Sequence, residues 1–326
     1  MQKPAIPQAQ TLGDWAYLGV QKHFQKILKH EDDVLKDKDP EALHQMRVGM
    51  RRMRSAVTGF APALDLPKAA QEKKIAKVAR ILGELRDLDV LKEALENQYQ
   101  PSLPKSEQKS LETVLGYLKS RRKHSLSQVQ STLEHKQYQH LRQSLKRWLK
   151  QPDYLELAEV PISDVLPDLL LPSVSQLFLH PAWLVGVFMV GGEIDFSSNL
   201  SQAKVAELLA ANEPVLHSLR KQTKRSRYQM ELFTEFYGEN YQAYLEDVKE
   251  IQKILGQIQD CFVLGEFLTD ALDSDSKKLL PTLVDELAHT RYQAWKDWQP
   301  LQQKYLNPQT RQSLRLELLT PISDKS

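Results

Sequence analysis

Leu43-His44-Gln45-Met46-Arg47-Val48-Gly49-Met50-Arg51-Arg52-Met53-Arg54 sets a histidine ahead of a run of arginines, and the chain repeats the pattern once. The second copy is Leu216-His217-Ser218-Leu219-Arg220-Lys221-Gln222-Thr223-Lys224-Arg225-Ser226-Arg227. His44 and His217 stand 173 positions apart, and Arg47/Arg220, Arg51/Lys224, Arg52/Arg225, Arg54/Arg227 and Phe60/Phe233 keep that offset. A later motif keeps it too: Leu82-Gly83, Asp87 and Val90-Leu91 fall on Leu255-Gly256, Asp260 and Val263-Leu264. A repeat that duplicates charge as well as apolar pattern suggests a duplicated site, not just a duplicated scaffold.

Both stretches read as helices. Asp39-Pro40 offers an N-cap followed by proline in the first turn, and Asn212 stands at the matching position of the second copy. With His44 at zero and 100° per residue, Arg47 falls at about 300°, Arg51 at about 340° and Arg54 at about 280°. Leu43, Met46, Met50, Met53, Val57 and Phe60 fall at roughly 160–260°. The basic stripe therefore runs beside the apolar one, at the margin of the core. His217, Arg220, Lys224 and Arg227 repeat it beside Leu216, Leu219, Met230 and Phe233. Arg52 and Arg225 sit at about 80° and point elsewhere.

Four such groups over three turns span roughly 15 Å and repel one another at i,i+3 and i,i+4 spacing. Internal carboxylates or a bound polyanion must offset that repulsion. Arg meets phosphate oxygens as a planar fork and Lys as a point charge, so a linear row suits a linear anion. Lys73, Lys77 and Arg80 form a further basic face at i, i+4 and i+7, with Lys74 adjacent. In the second half Lys73, Lys74 and Lys77 become Glu246, Asp247 and Glu250, and only Arg80 keeps its charge, as Lys253. The two halves are therefore not expected to contribute equally. Arg122 lies in another acid-free window with Lys119, Arg121 and Lys123. Gly83 and Gly256 each interrupt a good helix at a cost near 1 kcal/mol, which a close helix–helix approach would explain. Asp87 and Asp260 are placed to hold an Arg or Lys of the histidine helices.

Composition bounds the rest. The chain has 326 residues, 12 of them glycine, and is rich in helix formers, which favours an all-α protein. Its formal net charge is only +2, so the basic charge is local: no Asp or Glu occurs between Glu41 and Asp65 or between Glu213 and Glu231. The single cysteine, Cys261, excludes an intrachain disulfide and a cysteine-based metal site. No secretory signal core is read at the N-terminus. The longest apolar stretch, near Trp183–Val190, is shorter than the ~20 residues needed to span a bilayer. The expectation is a cytoplasmic protein with no membrane partner.

Residues 1–10 read as a loose tail, 11–150 as a first lobe, 151–200 as a proline-punctuated crossover, 201–305 as a second lobe and 306–326 as a C-terminal tail. One short apolar helix is expected in the crossover, near Asp164–Leu179.

The pattern H-x-x-R-x-x-x-R-R-x-R followed by L-G-x-x-R-D-x-D-V resembles the CHAD family, the conserved histidine α-helical domain. It is carried here by His44, Arg47, Arg51, Arg52 and Arg54, then Leu82, Gly83, Arg86, Asp87, Asp89 and Val90. The second half resembles the family between Leu216 and Phe233 and again at Leu255-Gly256 with Asp260. The likeness covers about residues 10–305. It implies two four-helix bundles related by a pseudo-twofold axis, with a basic channel between them that binds inorganic polyphosphate. Such domains often follow a triphosphate-processing CYTH domain with an E-x-E-x-K motif. That motif is absent here, so its catalysis is not carried over, and the 151–200 segment matches no part of the family pattern.

The function expected is non-catalytic binding of long-chain polyphosphate, with no cofactor or metal, in association with polyphosphate granules. Two alternatives stand beside it. Nucleic-acid binding would use the same stripes, but RNA readers add aromatics to stack bases, and these stripes carry none on their own face. Phosphate transfer or hydrolysis would need a carboxylate-held Mg²⁺, and neither stripe contains a carboxylate. Protein partners, chain-length preference and oligomeric state are not legible.

Overall fold

The computed structural model describes residues 9–190, 193–196, 200–273 and 275–322, so the N-terminal tail expected at 1–10 lies almost wholly outside the described residues. Among these residues the chain forms twelve α-helices and one two-stranded hairpin. It divides into two compact units: Met1–Ala94 with Tyr117–Leu166, and Leu95–Gly116 with Pro167–Ser326.

In the first unit α1 (Leu12–Leu35) opens on a capping box, in which Thr11 accepts from the Asp14 backbone and Asp14 reaches back. α2 (Pro40–Gly59) is capped by Asp39, whose Oδ1 accepts from the Glu41 N–H at 2.8 Å. Ala16, Val20, Phe24 and Ile27 of α1 are buried, as are Met46, Met50 and Met53 of α2. Each large side chain so buried contributes about 1.5–3 kcal/mol. The close helix approach is at Gly49: a Cβ there would stand 3.0 Å from Ile27 Cγ1 and 3.4 Å from the Ile27 nitrogen. α3 (Glu72–Ala94), the part of α4 (Lys105–Glu134) from Tyr117 on, and α5 (Lys136–Trp148) complete the unit.

The crossover holds α6 (Ile162–Phe178), one residue from its expected C-terminus and two from its expected start. Ile162–Leu184 is long and apolar enough, by length and composition, to cross a membrane. Leu166, Leu170, Val174, Leu177 and Phe178 are at most 2% exposed, so one face of this helix is packed into the protein. The all-α expectation holds, with one short strand pair added to the helices. Val187–Val190 (β1) pairs antiparallel with Glu193–Phe196 (β2), with Val187 opposite Phe196. Just before it Gly186 adopts φ +71°, and a Cβ there would lie 2.7 Å from the Trp295 ring, so conformation and space both demand glycine.

In the second unit α7 (Gln202–Ala211) leads to α8 (Glu213–Leu232), α9 (Glu239–Ala271), the short α10 (Ser276–Leu279) and α11 (Pro281–Leu306). Asn212 stands before α8 but makes no capping bond; its Nδ2 donates to the Leu208 carbonyl at 2.8 Å instead. Trp183 stacks on Trp298 at a centroid separation of 5.0 Å, and Gln302 Nε2 donates to the Trp183 and Val185 carbonyls at 2.8 Å each. The segment expected as a C-terminal tail is a helix from Pro308 to Leu319 (α12), with Leu314 and Leu318 fully buried.

Candidate anion-binding site

α2 and α3 pack within the first unit, and α8 and α9 pack within the second. In each pair the repeated spacing resolves into the same small arrangement. Arg47 Nη2 donates to Asp87 Oδ1 at 3.4 Å, and Arg220 Nη2 stands 3.7 Å from Asp260 Oδ1. A Cβ on Gly83 would meet Arg47 Nε at 3.5 Å, and one on Gly256 would meet Arg220 Nε at 3.6 Å. No atom of the facing helix backbone comes within 4 Å of either position. The two glycines therefore do not mark a close helix–helix approach, as their sequence context suggests. They leave room for a guanidinium laid across the helix and hooked by the aspartate four residues on. Both arginines are about a quarter exposed, and both aspartates are more than two-thirds exposed. The stems lie along the core margin and the heads reach solvent.

This geometry makes a discriminating prediction. At 3.5–3.6 Å an added methyl makes an ordinary van der Waals contact, and alanine removes the glycine penalty in a helix. Gly83→Ala and Gly256→Ala should each raise stability by about 0.5–1 kcal/mol in thermal or urea melts. Gly83→Leu should instead displace the guanidinium and weaken anion binding. Destabilisation by the alanines would point back to backbone contact.

His44 is half-buried and its pKa is lowered, first by burial and then by Arg86, Arg47 and Arg51, against the opposing pull of Glu41. His217 is also lowered, by burial first and then by Lys221 and Arg220, with Gln259 and Glu213 opposing. Gln259 Nε2 donates to Glu213 at 2.9 Å, and His217 Nδ1 is buried with no hydrogen-bond partner among the described residues. Both rings thus sit in a positive field, neutral at pH 7. Arg86 and Lys221 are the neighbours that the helical map of the stripes leaves out.

The remaining candidates divide. Arg51 and Lys224 are half-buried on the stripe. Arg54 is held by Glu72 of α3, and Arg227 by Glu231 one turn on, at 2.8 Å. Arg52 and Arg225 are exposed, each away from its stripe. Arg122 belongs elsewhere: its two terminal nitrogens fork onto Asp37 at 2.8 Å each, and Nε donates to the buried Asp89 at 2.7 Å. These carboxylates raise its pKa against the effect of burial, and the guanidinium is committed to tying α3 and α4 to the end of α1.

The flanking basic face differs between the units, as the sequence suggests. Lys73, Lys74 and Lys77 are exposed; Lys77 reaches Gln137 at 3.5 Å, and none of the three has a carboxylate partner among the described residues. Arg80 lies 3.4 Å from Glu84. In the second unit Glu246 pairs with Lys249 at 2.6 Å, Glu250 with Lys253 at 3.0 Å, and Asp247 with Lys304 at 2.6 Å. That face is neutralised internally.

Comparison with known proteins supplies the relationship. The CHAD domain family matches residues 19–269. Among solved structures, the CHAD domain from the plant Ricinus communis superposes with a TM-score of 0.54 at 23% identity, covering 97% of this chain and 94% of that one. PptA from Streptomyces chartreusis superposes with a TM-score of 0.63 at 15% identity, covering 90% of this chain and 100% of that one. At these identities the likeness is one of fold. Among curated proteins none matches this chain.

Proposed function

This chain belongs to the CHAD domain family, and we propose that it binds inorganic polyphosphate through its two histidine–arginine stripes, as a binding module without chemistry of its own. The observation that carries the reading is the repetition of one arrangement. An arginine lies across a glycine and is hooked by an aspartate, beside a histidine lowered first by burial and then by neighbouring cations, at the same 173-residue offset in both halves. Arg47 and Arg220, each paired among the described residues with an exposed aspartate, are poised for an anion of greater charge density. A linear polyanion meets successive cations of one stripe, whereas pyrophosphate meets one or two. The pseudo-twofold relation and the basic channel that the family likeness implies belong to the same proposal, as do a cytoplasmic setting and granule association.

The test is calorimetric titration of long-chain polyphosphate at two salt concentrations, with pyrophosphate and an RNA oligomer as controls. Tight binding that weakens steeply with salt, and prefers polyphosphate to RNA, is expected. No binding, or equal binding of RNA, sinks the reading.

Protonation gives a second, independent check. Free, His44 and His217 titrate below the ordinary imidazole value of about 6.5. A polyanion beside them raises both values, so binding takes up protons. Affinity should rise as pH falls through the bound-state values and level off below the free-state values. Calorimetry at pH 6.5 in buffers of different ionisation enthalpy should show net proton uptake, and His44→Gln/His217→Gln should abolish it. Uptake unchanged in that variant would remove the histidines from the site.

A further inference from the structure

The α1/α2 seam of the first unit carries a cation cluster that the stripes do not include. Gly49 lets the helices touch, and the stem of Lys26 crosses α2 there: a Cβ on Gly49 would lie 3.5 Å from Lys26 Cγ. Arg52 follows Gly49 by three residues and so stands on the same side of α2. Lys22 precedes Lys26 by one turn on the same side of α1. Between them His23 is 7% exposed and has no hydrogen-bond partner among the described residues.

We propose that Lys22, Lys26 and Arg52 form a second anion site on this seam, around the buried His23, which takes a short phosphate anion separately from the stripes. Lys22, Lys26 and Arg52 make no ion pair or hydrogen bond among the described residues. The carboxylate that bears on Lys26 is Glu41, and it already accepts from Gln45 Nε2. The field of the cluster bears on His23 and on Lys26. His23 is brought down to about 4, by burial first and then by Arg52, Lys22 and Lys26. Lys26 is lowered by burial, Arg52, Arg51 and Lys29, with Glu41 opposing. Lys22 and Arg52 are exposed and Lys26 is half-buried, so an anion from solvent can meet all three, and phosphate oxygens suit both the guanidinium fork and the ammonium groups. This explains why Arg52 turns away from the stripe: it serves the other side of α2. The inference does not depend on the stripes binding polyphosphate.

The ligand could be a free short phosphate or the end of a long chain, so both are used. The His23 ring is followed by NMR while tripolyphosphate, and separately long-chain polyphosphate, is titrated into the whole protein. With tripolyphosphate the His23 pKa should rise by a unit or more. Lys26→Gln/Arg52→Gln should weaken that response at least tenfold, Glu41→Gln should strengthen it, and Arg220→Ala/Lys224→Ala should leave it in place. Circular dichroism checks that each variant keeps its helices. An unmoved His23, a response indifferent to Lys26→Gln/Arg52→Gln, or a response seen only with long chains and lost in the stripe variant would each overturn the separate site. Failure of long-chain polyphosphate to bind anywhere would instead bear on the stripe reading.

Discussion

Arg122→Ala should lower the free energy of unfolding by about 3–5 kcal/mol, the usual cost of leaving a buried charge without its partner. Asp89 is 8% exposed and Asp37 holds a left-handed backbone, with φ 46°, at the end of α1. Removing Arg122 strands the first carboxylate and releases the second. Urea unfolding at pH 7 should show an earlier midpoint with an unchanged slope, as expected for a loss of stability without a change of compactness. Asp89→Asn, which keeps an acceptor and drops the charge, should cost less. Measured on folded protein, the polyphosphate affinity of Arg122→Ala should change by less than about threefold, because removing a charge-assisted hydrogen bond from a binding site costs about tenfold or more. A large fall in affinity with little change in stability would reverse the assignment and return Arg122 to the binding surface, where its basic window places it.

Arg122 shows where sequence reasoning stops. An acid-free run of Lys119, Arg121, Arg122 and Lys123 reads as focused basic charge. Its middle arginine is neutralised by carboxylates 33 and 85 residues away, which no local window can display. What is periodic and local was legible: the Asp39 cap, the start of α2, the margin position of the stripes, and α6 within two residues of each end. The spacing of Arg47 from Gly83 and Asp87, repeated in the second half, flagged a pairing; the role of the glycine needed the coordinates, since close packing by backbone and by a guanidinium leave the same mark in sequence. The seam cluster was hidden for the same reason. Lys22 and Lys26 belong to a helix without a motif, and only the close approach at Gly49 brings them to Arg52.

Two elements were missed, α12 and the strand pair. Pro300 sits inside α11, because the helix passes through it to Leu306. Asn307-Pro308 then starts α12 with its own cap, in which Asn307 Oδ1 accepts from the Gln309 N–H at 2.8 Å. Proline so near a chain end reads as termination; the i,i+4 pair Leu314 and Leu318 outweighs it by burying both side chains. The hairpin at 187–196 has strands of four residues each, too short for alternation to stand out from a leucine-rich crossover.

The largest effect on binding is expected from Arg51→Ala/Lys224→Ala, one stripe cation removed from each half. A charge-assisted hydrogen bond contributes about 1.5–3 kcal/mol, so the pair should weaken long-chain polyphosphate by roughly a hundredfold or more. The salt dependence supplies the mechanism. Each neutralised phosphate releases counterions, so the slope of log K against log salt should become shallower by about two phosphates' worth. Loss of affinity at constant slope would mean that the substitutions act by distorting the helices. Pyrophosphate should lose much less than the long chain, because it meets only one or two cations of a stripe. The single variants then separate the halves. Lys73, Lys74 and Lys77 of α3 have no carboxylate partner among the described residues, whereas Glu246, Asp247 and Glu250 are already paired in the second unit. Arg51→Ala therefore removes one cation from a half with more unpaired lysines, while Lys224→Ala leaves the second half with Arg220, Lys221 and His217, its Arg227 being paired with Glu231. Lys224→Ala alone should cost more than Arg51→Ala alone, and Glu246→Lys/Glu250→Lys should recover part of the difference. An equal loss from the two single variants would show that the flanking lysines do not touch the polyphosphate.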